Sequence, residues 1–354
     1  MTANSPNSDY PAVAVILVNW NSWRDCIECI NSLLAQSYPD FHIFVVDNDS
    51  ADGSVEQIRA WCADPRRDPQ WRDHHDVRRL VDDNAVAPVM CRVIAAPQQA
   101  LPAAPADCRV TLIHSGGNLG FAGGCNVGIR AASEAFGFFW LLNTDTVVQF
   151  QALEALVRRA QSDGRLGMVG STIRYYAQPH IVQSLGGARL ETATVTTRLI
   201  GEGCGLEAIP ADPVAIEEQM AYVMGASMLV SERFVREIGL LQEDYFLYYE
   251  EIDWAMRGSR TFKLGYAPAS HVFHKSGASS SKILPLFTSN LYYRNRLRFV
   301  SRFFPQRFNA ARRGLAIELL RHLCKGRWGH ARVVARTLWD APRLKEPPLA
   351  ASAT

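Results

Sequence analysis

The sequence predicts an α/β fold built around an open, mostly parallel β-sheet. Two apolar runs, Val13–Val18 and Phe41–Val46, have the continuous hydrophobicity of strands that are buried on both faces. Helical patterns over 23–36 and 55–62 follow these runs, so the chain begins in the order β-α-β-α. That order is typical of a parallel sheet covered by helices.

The later elements follow from the same patterns. Residues 63–108 are rich in Pro, Asp and Arg, and we expect them to form an insertion. Residues 167–219 read as short strands and loops in a more antiparallel region. The remaining patterns predict strands at 110–114, 138–142, 222–230 and 265–269, and helices over 125–136, 151–163 and the stretch FLYYEEID.

Composition and cysteine usage are those of an ordinary intracellular protein. Of the 354 residues, 48% are hydrophobic and 20% are charged, as in soluble globular chains. The eight cysteines are widely spaced, and we expect reduced structural thiols in a cytoplasmic protein. The first residues lack the features of a signal peptide, and no apolar run approaches the roughly 18 residues that span a bilayer. We therefore expect neither export nor integral membrane insertion.

Charge is distributed unevenly along the chain. Residues 294–345 carry a net charge of +12, whereas residues 1–293 carry −9. A basic segment on an acidic body suggests an anionic partner, and no nucleic-acid-binding motif accompanies the charge. We expect the α/β domain to span 1–290, a basic, amphipathic helical region 291–345, and a disordered tail 346–354. The helical region either lies on an anionic membrane surface or packs on the α/β domain.

Polar residues end three of the predicted strands. Asn19, Asp47 and Asp145 follow the apolar runs in VNWN, VVDND and LLNTD. Because ligands bind at the carboxyl ends of strands in open α/β sheets, we expect one shared ligand site there. Asp145 suits a hard cation such as Mg²⁺ or Mn²⁺, although an Asp at this position also caps helices.

A glycine-rich stretch, SGGNLGFAGGCN, lies between a predicted strand and a predicted helix. Backbone N–H groups at such a junction can approach a phosphate group. The stretch has no GxGxxG at the required offsets, which argues against a dinucleotide site.

The stretch FLYYEEIDWAMR places three carboxylates close together. Asp253 is four residues before Arg257, a spacing that allows an ion pair on one helix face. Glu251 has no cationic partner at helical spacing. A carboxylate among aromatic residues has a raised pKa, as a general base requires. His271 and His274 follow later and are either structural residues or a metal ligand.

Taken together, these motifs resemble the family-2 inverting glycosyltransferases of the GT-A fold, a Rossmann-like nucleotide-sugar transferase fold. They resemble especially the bacterial rhamnosyltransferase-like members. The matching pieces occur in the family's order over residues 12–305: ILVNWNS, VVDNDSADGS, GGNLGFAGGCNVG, LLNTDT, VMGASMLV, FLYYEEIDWAMR, HVFHKSGASS and YYRNRLRFVSRFFP.

The resemblance implies roles for individual residues. Asp145 matches the second acid of the metal motif, with Asn143 at the first position, and His274 matches the histidine that completes metal coordination. Glu251 falls on the position of the catalytic base, and its neighbour Glu250 is the rival for that role. The implied nucleotide-sugar-binding residues are Asn19, Asp47, Asn48, Asn118, Gly120, Gly123, Asn126, Asn143 and Asp145.

The resemblance also implies an activity. It is the metal-assisted transfer of a sugar, with L-rhamnose as the first candidate, from a dTDP- or UDP-sugar to a hydroxyl group. The acceptor would be a cell-surface polysaccharide or a lipid-linked saccharide. We expect the protein itself to be cytoplasmic or peripheral on the inner face of the cell membrane. Two alternatives from other classes are a non-catalytic nucleotide-sugar or polysaccharide-binding module and a nucleotidyltransferase.

Overall fold

The computed structural model describes residues 10–65, 88–96, 108–132, 135–191, 195–275 and 285–344. The strands are β1 (Val13–Asn19), β2 (Phe41–Asp47), β3 (Met90–Ala95), β4 (Cys108–His114), β5 (Phe138–Asn143), β6 (Thr146–Val148), β7 (Leu166–Tyr175), β8 (Val182–Leu185), β9 (Gly187–Glu191), β10 (Thr196–Leu199), β11 (Tyr222–Val223), β12 (Ser227–Ser231) and β13 (Lys263–His274). The helices are α1 (Trp23–Leu34), α2 (Ser54–Ala63), α3 (Gly120–Ala132), α4 (Ala152–Gln161), α5 (Val214–Glu217), α6 (Glu232–Ile238), α7 (Glu250–Gly258), α8 (Leu286–Phe303), α9 (Phe308–Cys324) and α10 (Trp328–Asp340).

The central sheet has the strand order β3-β4-β2-β1-β5-β12-β7-β13-β6, with β8 paired to β7. The strands β3, β4, β2, β1 and β5 run parallel, and β12 enters antiparallel between β5 and β7. The predicted α/β architecture with a mostly parallel sheet is therefore confirmed. The more antiparallel region predicted for 167–219 contains β9 and β10, which form a small separate sheet with β11.

Both faces of the sheet are buried, as the apolar strands predict. On β1, Val13, Val15 and Leu17 pack into one core cluster, whereas Ala14 and Ile16 pack into the other. The alternation follows from the two-residue period of a strand, which points successive side chains to opposite faces. The eight cysteines are all free, as expected for reduced thiols.

Helix α3 begins five residues earlier than the sequence predicts. The prediction of a helix from residue 125 was wrong because it treated Gly120–Gly124 as a loop. A Cβ on Gly124 would lie 2.6 Å from Val18 Cγ1, and a Cβ on Gly128 would lie 2.5 Å from Ile16 Cγ2. The helix packs so closely on β1 that tertiary contact outweighs the low helix propensity of glycine.

The C-terminal region is helical, as predicted, and α8–α10 pack on the α/β domain. Leu297 and Phe299 of α8 share a core cluster with Tyr249 and Ile252. Of the two interpretations, packing on the domain is thus confirmed. The predicted boundary at residue 290 falls inside α8.

Two regions of the predicted organisation lie largely or wholly outside the described residues. These are most of the insertion at 63–108 and the tail at 346–354. In the part of the chain that the structure describes, no helix is long and apolar enough to cross a membrane.

Candidate active site

The first part of the site lies where β1 and β2 end. Asn19 and Asp47 are the last residues of these strands and are directly opposite each other in the parallel register. Both are buried, and Asn19 Nδ2 donates a hydrogen bond to Asp47 Oδ1 at 3.0 Å. Asp47 Oδ2 accepts from the backbone N–H of Ser50 at 3.1 Å. The two predicted residues are therefore neighbours in a preorganised pair.

The start of α3 adjoins this pair. Asn48, which follows Asp47, donates from Nδ2 to the carbonyl of Gly120 at 2.8 Å. Asn118 is exposed and accepts from the backbone N–H of Gly120 at 3.1 Å. Gly120 has φ +68°, and a Cβ there would lie 2.3 Å from the carbonyl oxygen of Phe246. Only glycine fits this close approach, so the glycine-rich stretch joins the β2 edge to the loop before Glu250.

Two further predicted residues serve the packing of α3. A Cβ on Gly123 would lie 2.6 Å from Leu119 Cβ. Asn126 is 1% exposed, donates to the Leu241 carbonyl at 2.9 Å and accepts from the Leu241 N–H at 3.1 Å. These contacts do not support the predicted role of Asn126 in binding a nucleotide sugar. They give it the role of holding residues 241–243 against the helix.

The second part of the site is the turn between β5 and β6. Asn143 ends β5, and Asp145 lies in the turn, where its backbone carbonyl accepts from the Lys275 N–H at 2.9 Å. Because β6 pairs with the end of β13, His274 is brought beside this turn. His274 Nε2 lies 3.2 Å from Asp145 Oδ1. The structure thus brings together the two residues predicted to bind a metal.

Gln183 fixes the orientation of the imidazole. His274 Nδ1 and Gln183 Oε1 are 2.9 Å apart, so Nδ1 carries the proton that is donated to this oxygen. Burial opposes the ionised form of Asp145, but the hydrogen bond and charge of His274, together with Lys275, hold the pKa of Asp145 below its usual value.

The donor set fits a divalent cation. With Nδ1 donating to Gln183, Nε2 is the nitrogen of His274 that faces Asp145 Oδ1, and at a separation of 3.2 Å both atoms can ligate one cation. One carboxylate and one imidazole form a small protein ligand set. In the described ranges, no group of three or more His, Cys, Asp or Glu side chains could hold a metal. The other ligands would therefore come from the diphosphate and water.

The loop before β12 lies between the turn that holds Asp145 and the two glutamates. The backbone N–H of Asn143 donates to the carbonyl of Ala226 at 3.2 Å. The preceding residue, Gly225, lies against Glu251, and a Cβ on Gly225 would be 2.3 Å from Glu251 Oε1. Adjacent residues of one short loop therefore contact the base candidate and the end of β5.

Glu250 and Glu251 have different surroundings. Glu250 is 1% exposed, and its Oε2 has no hydrogen-bond partner among the described residues. Burial and the charge of Glu251 raise the pKa of Glu250 well above its usual value. Glu251 is partly exposed, and burial raises its pKa to about 7, a rise limited by hydrogen bonds from its own N–H and that of Gly225. Burial therefore disfavours the ionised form of both carboxyl groups, and the greater exposure of Glu251 makes it the one that a ligand can approach.

Asp253 is structural, as the spacing predicts. Its Oδ1 lies 2.8 Å from Arg257 Nε, and its Oδ2 lies 3.0 Å from a guanidinium nitrogen of Arg302 on α8. Tyr245 donates to the same Oδ2 at 3.1 Å. The carboxylate is 0% exposed, so a network centred on a buried charge holds α7 to the C-terminal region.

The sequence reasoning missed Gln183, Gly225 and Arg302. Each acts through a contact between residues that are more than 20 positions apart. Arg302 lies in the motif YYRNRLRFVSRFFP and Gly225 lies in VMGASMLV, so the motifs contain both residues but do not reveal their partners.

The sequence comparisons identify a family and a relative. The model described as "Glycosyl transferase family 2" matches residues 14–79 and 92–189. The low-salt glycan biosynthesis hexosyltransferase Agl10 of Haloferax volcanii is 23% identical over 287 residues, which cover 80% of this chain and 74% of Agl10.

The comparisons with solved structures concern the fold. GalNAc-T7, solved with UDP, GalNAc and Mn²⁺, matches with a TM-score of 0.58 and 14% identity over 96% of this chain and 59% of that chain. S. aureus TarS matches with a TM-score of 0.46 and 12% identity over 82% of this chain and 39% of that chain. This chain therefore spans less than two thirds of either protein. The likeness to GalNAc-T7 confirms the GT-A fold.

Proposed function

We propose that this chain is a family-2 glycosyltransferase, an inverting transferase that moves a sugar from a nucleoside diphosphate donor to an acceptor hydroxyl group. The observation that carries the proposal is the partly exposed Glu251 carboxylate, whose pKa is raised to about 7. Adjacent residues of one short loop contact Glu251 and the end of β5, beside the Asp145 turn. The Agl10 description, a hexosyltransferase, supports the wider class.

We also propose a specific donor and acceptor within the class of sugar transferases. L-rhamnose on dTDP is the first candidate, supported by the resemblance of the motifs to rhamnosyltransferase-like proteins, and a UDP-sugar is the alternative. The acceptor is a hydroxyl group of a cell-surface polysaccharide or a lipid-linked saccharide. Asn19 and Asp47 would contact the base, while Asn48, Asn118 and Gly120 would lie beside the diphosphate.

In the proposed reaction, Glu251 removes the acceptor proton. The acceptor oxygen attacks C1 of the sugar in line as the bond from C1 to the diphosphate oxygen breaks, so one displacement inverts the anomeric centre. A Mg²⁺ or Mn²⁺ ion held by Asp145 and His274 would stabilise the negative charge on the leaving diphosphate. The raised pKa of Glu250 favours its neutral form, which limits a second negative charge beside the base.

The proposal makes a prediction about donor binding. We expect dTDP- or UDP-sugars to raise the melting temperature in the presence of Mn²⁺ or Mg²⁺, because a ligand at 100 times its Kd stabilises the native state by about 2.7 kcal/mol. Replacing Asp145 by Asn, or adding EDTA, should remove the metal-dependent part of the shift. Differential scanning fluorimetry with a panel of nucleotide sugars measures both effects.

Two outcomes of that screen would contradict the proposal. If no nucleoside diphosphate or nucleotide sugar shifts the wild-type melting temperature, the donor site does not exist. If a nucleoside triphosphate binds instead and pyrophosphate is released, the protein is a nucleotidyltransferase. A non-catalytic binding module would bind the donor without turnover, with or without Glu251.

We further propose that an outer surface of the C-terminal region binds the inner face of the cell membrane. This outer face consists of Arg313, Ile317 and Leu320 on α9 and Trp328, Arg332 and Trp339 on α10. The spacing puts each trio on one side of its helix. Trp328 is 64% and Trp339 is 82% exposed, and Ile317 and Leu320 are also more than half exposed.

Charge favours an anionic membrane over a second copy of the chain. The opposite sides of α9 and α10 are packed in the core cluster around α8, for example through Leu315 and Val334. The outer face therefore points away from the domain. A two-fold contact through this face would bring like charges together, since residues 294–345 carry a net +12. Anionic lipid instead attracts each nearby basic residue by about 1 kcal/mol, while the tryptophans enter the interface.

This proposal predicts binding to vesicles. Replacing Trp328 and Trp339 together by Ser should weaken binding to vesicles of phosphatidylglycerol and phosphatidylcholine at least about tenfold, because burial of a large apolar side chain contributes about 1.5–3 kcal/mol. The control is Val214→Ser, at a residue on α5 that is also exposed. Vesicle sedimentation measures the affinity. Two results would contradict the membrane assignment. One is equal vesicle binding by wild type and the double variant. The other is a wild-type dimer in sedimentation velocity that the double substitution converts to a monomer.

A further inference from the structure

The segment that leads into α7 has an unusual backbone. We call residues 245–249 the base loop, because Glu250 and Glu251 follow it. Phe246 has φ +61° and ψ −56°, and the N–H of Leu247 donates to the carbonyl of Tyr245 at 2.7 Å. This is the rare γ-turn with positive φ. Tyr248 and Tyr249 follow with φ +70° and +77°. Bulky residues rarely adopt such angles, so the surroundings must hold the loop in this form.

A single side chain on α8 contacts most of the carbonyl groups of the base loop. The two N–H bonds of Asn295 Nδ2 are shared among the carbonyls of Tyr245 at 2.6 Å, Leu247 at 2.8 Å and Tyr248 at 3.0 Å. Asn295 is 3% exposed, so water cannot replace it readily. These hydrogen bonds need carbonyls that point in one direction, which the positive φ angles provide.

One more carbonyl of the base loop, that of Phe246, is bound by α3 and not by Asn295. The carbonyl of Phe246 accepts from the N–H of Phe121 at 2.7 Å, in the first turn of α3. The base loop is therefore held between α8, through Asn295, and the start of α3, where Gly120 leaves the space it needs. A change in the loop would move the start of α7 relative to Gly225, which contacts Glu251.

We propose that Asn295 is a positioning residue that holds the base loop in its strained form and thereby places the Glu251 carboxylate against Gly225. The proposal rests on the proposed function, since it concerns the base of that reaction. Asn295 itself does not touch the reacting atoms. The C-terminal region thus takes part in assembling the site.

The test compares Asn295→Asp and Asn295→Ser with wild type. Asp has nearly the same shape but no N–H donors, and Ser keeps one donor on a shorter side chain. We expect kcat to fall about 100-fold or more, because a displacement of about 1 Å can cost this much, with the donor KM unchanged within about threefold. The acidic limb of the pH–rate profile should move to lower pH as Glu251 leaves its buried position.

A matched control separates positioning from simple stability. Ser301 is also buried on α8 and donates to the carbonyl of Arg298 within the same helix at 2.8 Å. Ser301→Ala should leave kcat and the pH profile unchanged. If the Asn295 variants that remain folded by circular dichroism keep the wild-type kcat and pH profile, and only melt at lower temperature, the positioning role is wrong.

Hydrogen exchange tests the same proposal without activity. In wild type, the N–H groups of Leu247 and Phe121 are hydrogen-bonded by the base loop. We expect both to exchange at least about tenfold faster in Asn295→Ser, and unchanged in Ser301→Ala. Unaltered exchange would overturn the proposal. If the wild-type protein transfers no sugar but Asn295→Ser still shows the faster exchange, the proposed function is refuted. The role of Asn295 in holding the base loop would then stand.

Discussion

Replacing Glu251 by Gln is expected to lower kcat by about 10²- to 10⁴-fold, the range that general base catalysis contributes, while donor binding is retained. The amide has nearly the same shape as the carboxylate but cannot accept the acceptor's proton. Steady-state kinetics with a radiolabelled donor measures turnover, and the metal-dependent thermal shift measures donor binding.

The same residue determines the expected pH dependence. A base must be ionised, and the pKa of Glu251 is raised to about 7, so the rate should rise with pH through this value and level off above it. The matched control is Glu250→Gln, at the neighbouring residue, whose pKa burial raises well above its usual value. We expect that variant to keep kcat within a few-fold. Unaltered turnover in both variants would refute the carboxylate base, and a large loss only in Glu250→Gln would transfer the role to Glu250.

The second large effect concerns stability. Asp253→Ala is expected to lower the free energy of unfolding by about 3–5 kcal/mol, because it leaves Arg257 and Arg302 without their buried carboxylate. Arg257 also donates to the carbonyls of Ile238 and Leu240, at 2.9 and 2.7 Å, so it cannot readily turn to solvent. Urea denaturation followed by fluorescence measures the loss.

A surface ion pair provides the comparison for Asp253. Arg233 and Glu237 on α6 have the same four-residue spacing, with a separation of 2.8 Å, but are exposed. Glu237→Ala should cost less than about 1 kcal/mol. A similarly small loss in Asp253→Ala would show that the buried network does not hold α7 to α8.

Local patterns were sufficient to predict the parallel sheet and the position of Asn19 and Asp47 at the carboxyl ends of its strands. The apolar runs in β1 and β2 specify buried strands, and the first polar residue after each run is placed at the sheet edge by geometry alone. The Asp253–Arg257 pair was predictable for the same reason, because helical spacing fixes which residues meet.

Other features depend on contacts that no local pattern encodes. The start of α3 was missed because the glycines were assigned to a loop, whereas their contact is with β1. The hydrogen bond between Asn126 and Leu241 joins residues 115 positions apart, and the ion pair between Arg302 and Asp253 joins residues 49 positions apart. Such partners are determined by tertiary packing, which a single sequence does not reveal.

The contact between α3 and β1 has a consequence for how this protein can vary. Gly124 faces Val18, and Gly128 faces Ile16, with no room for one more methyl group on either side. A larger residue on the helix should be accepted only alongside a smaller one on the strand. We therefore expect each of these two pairs to change together during evolution, so that the set of permitted residues at one position depends on its partner.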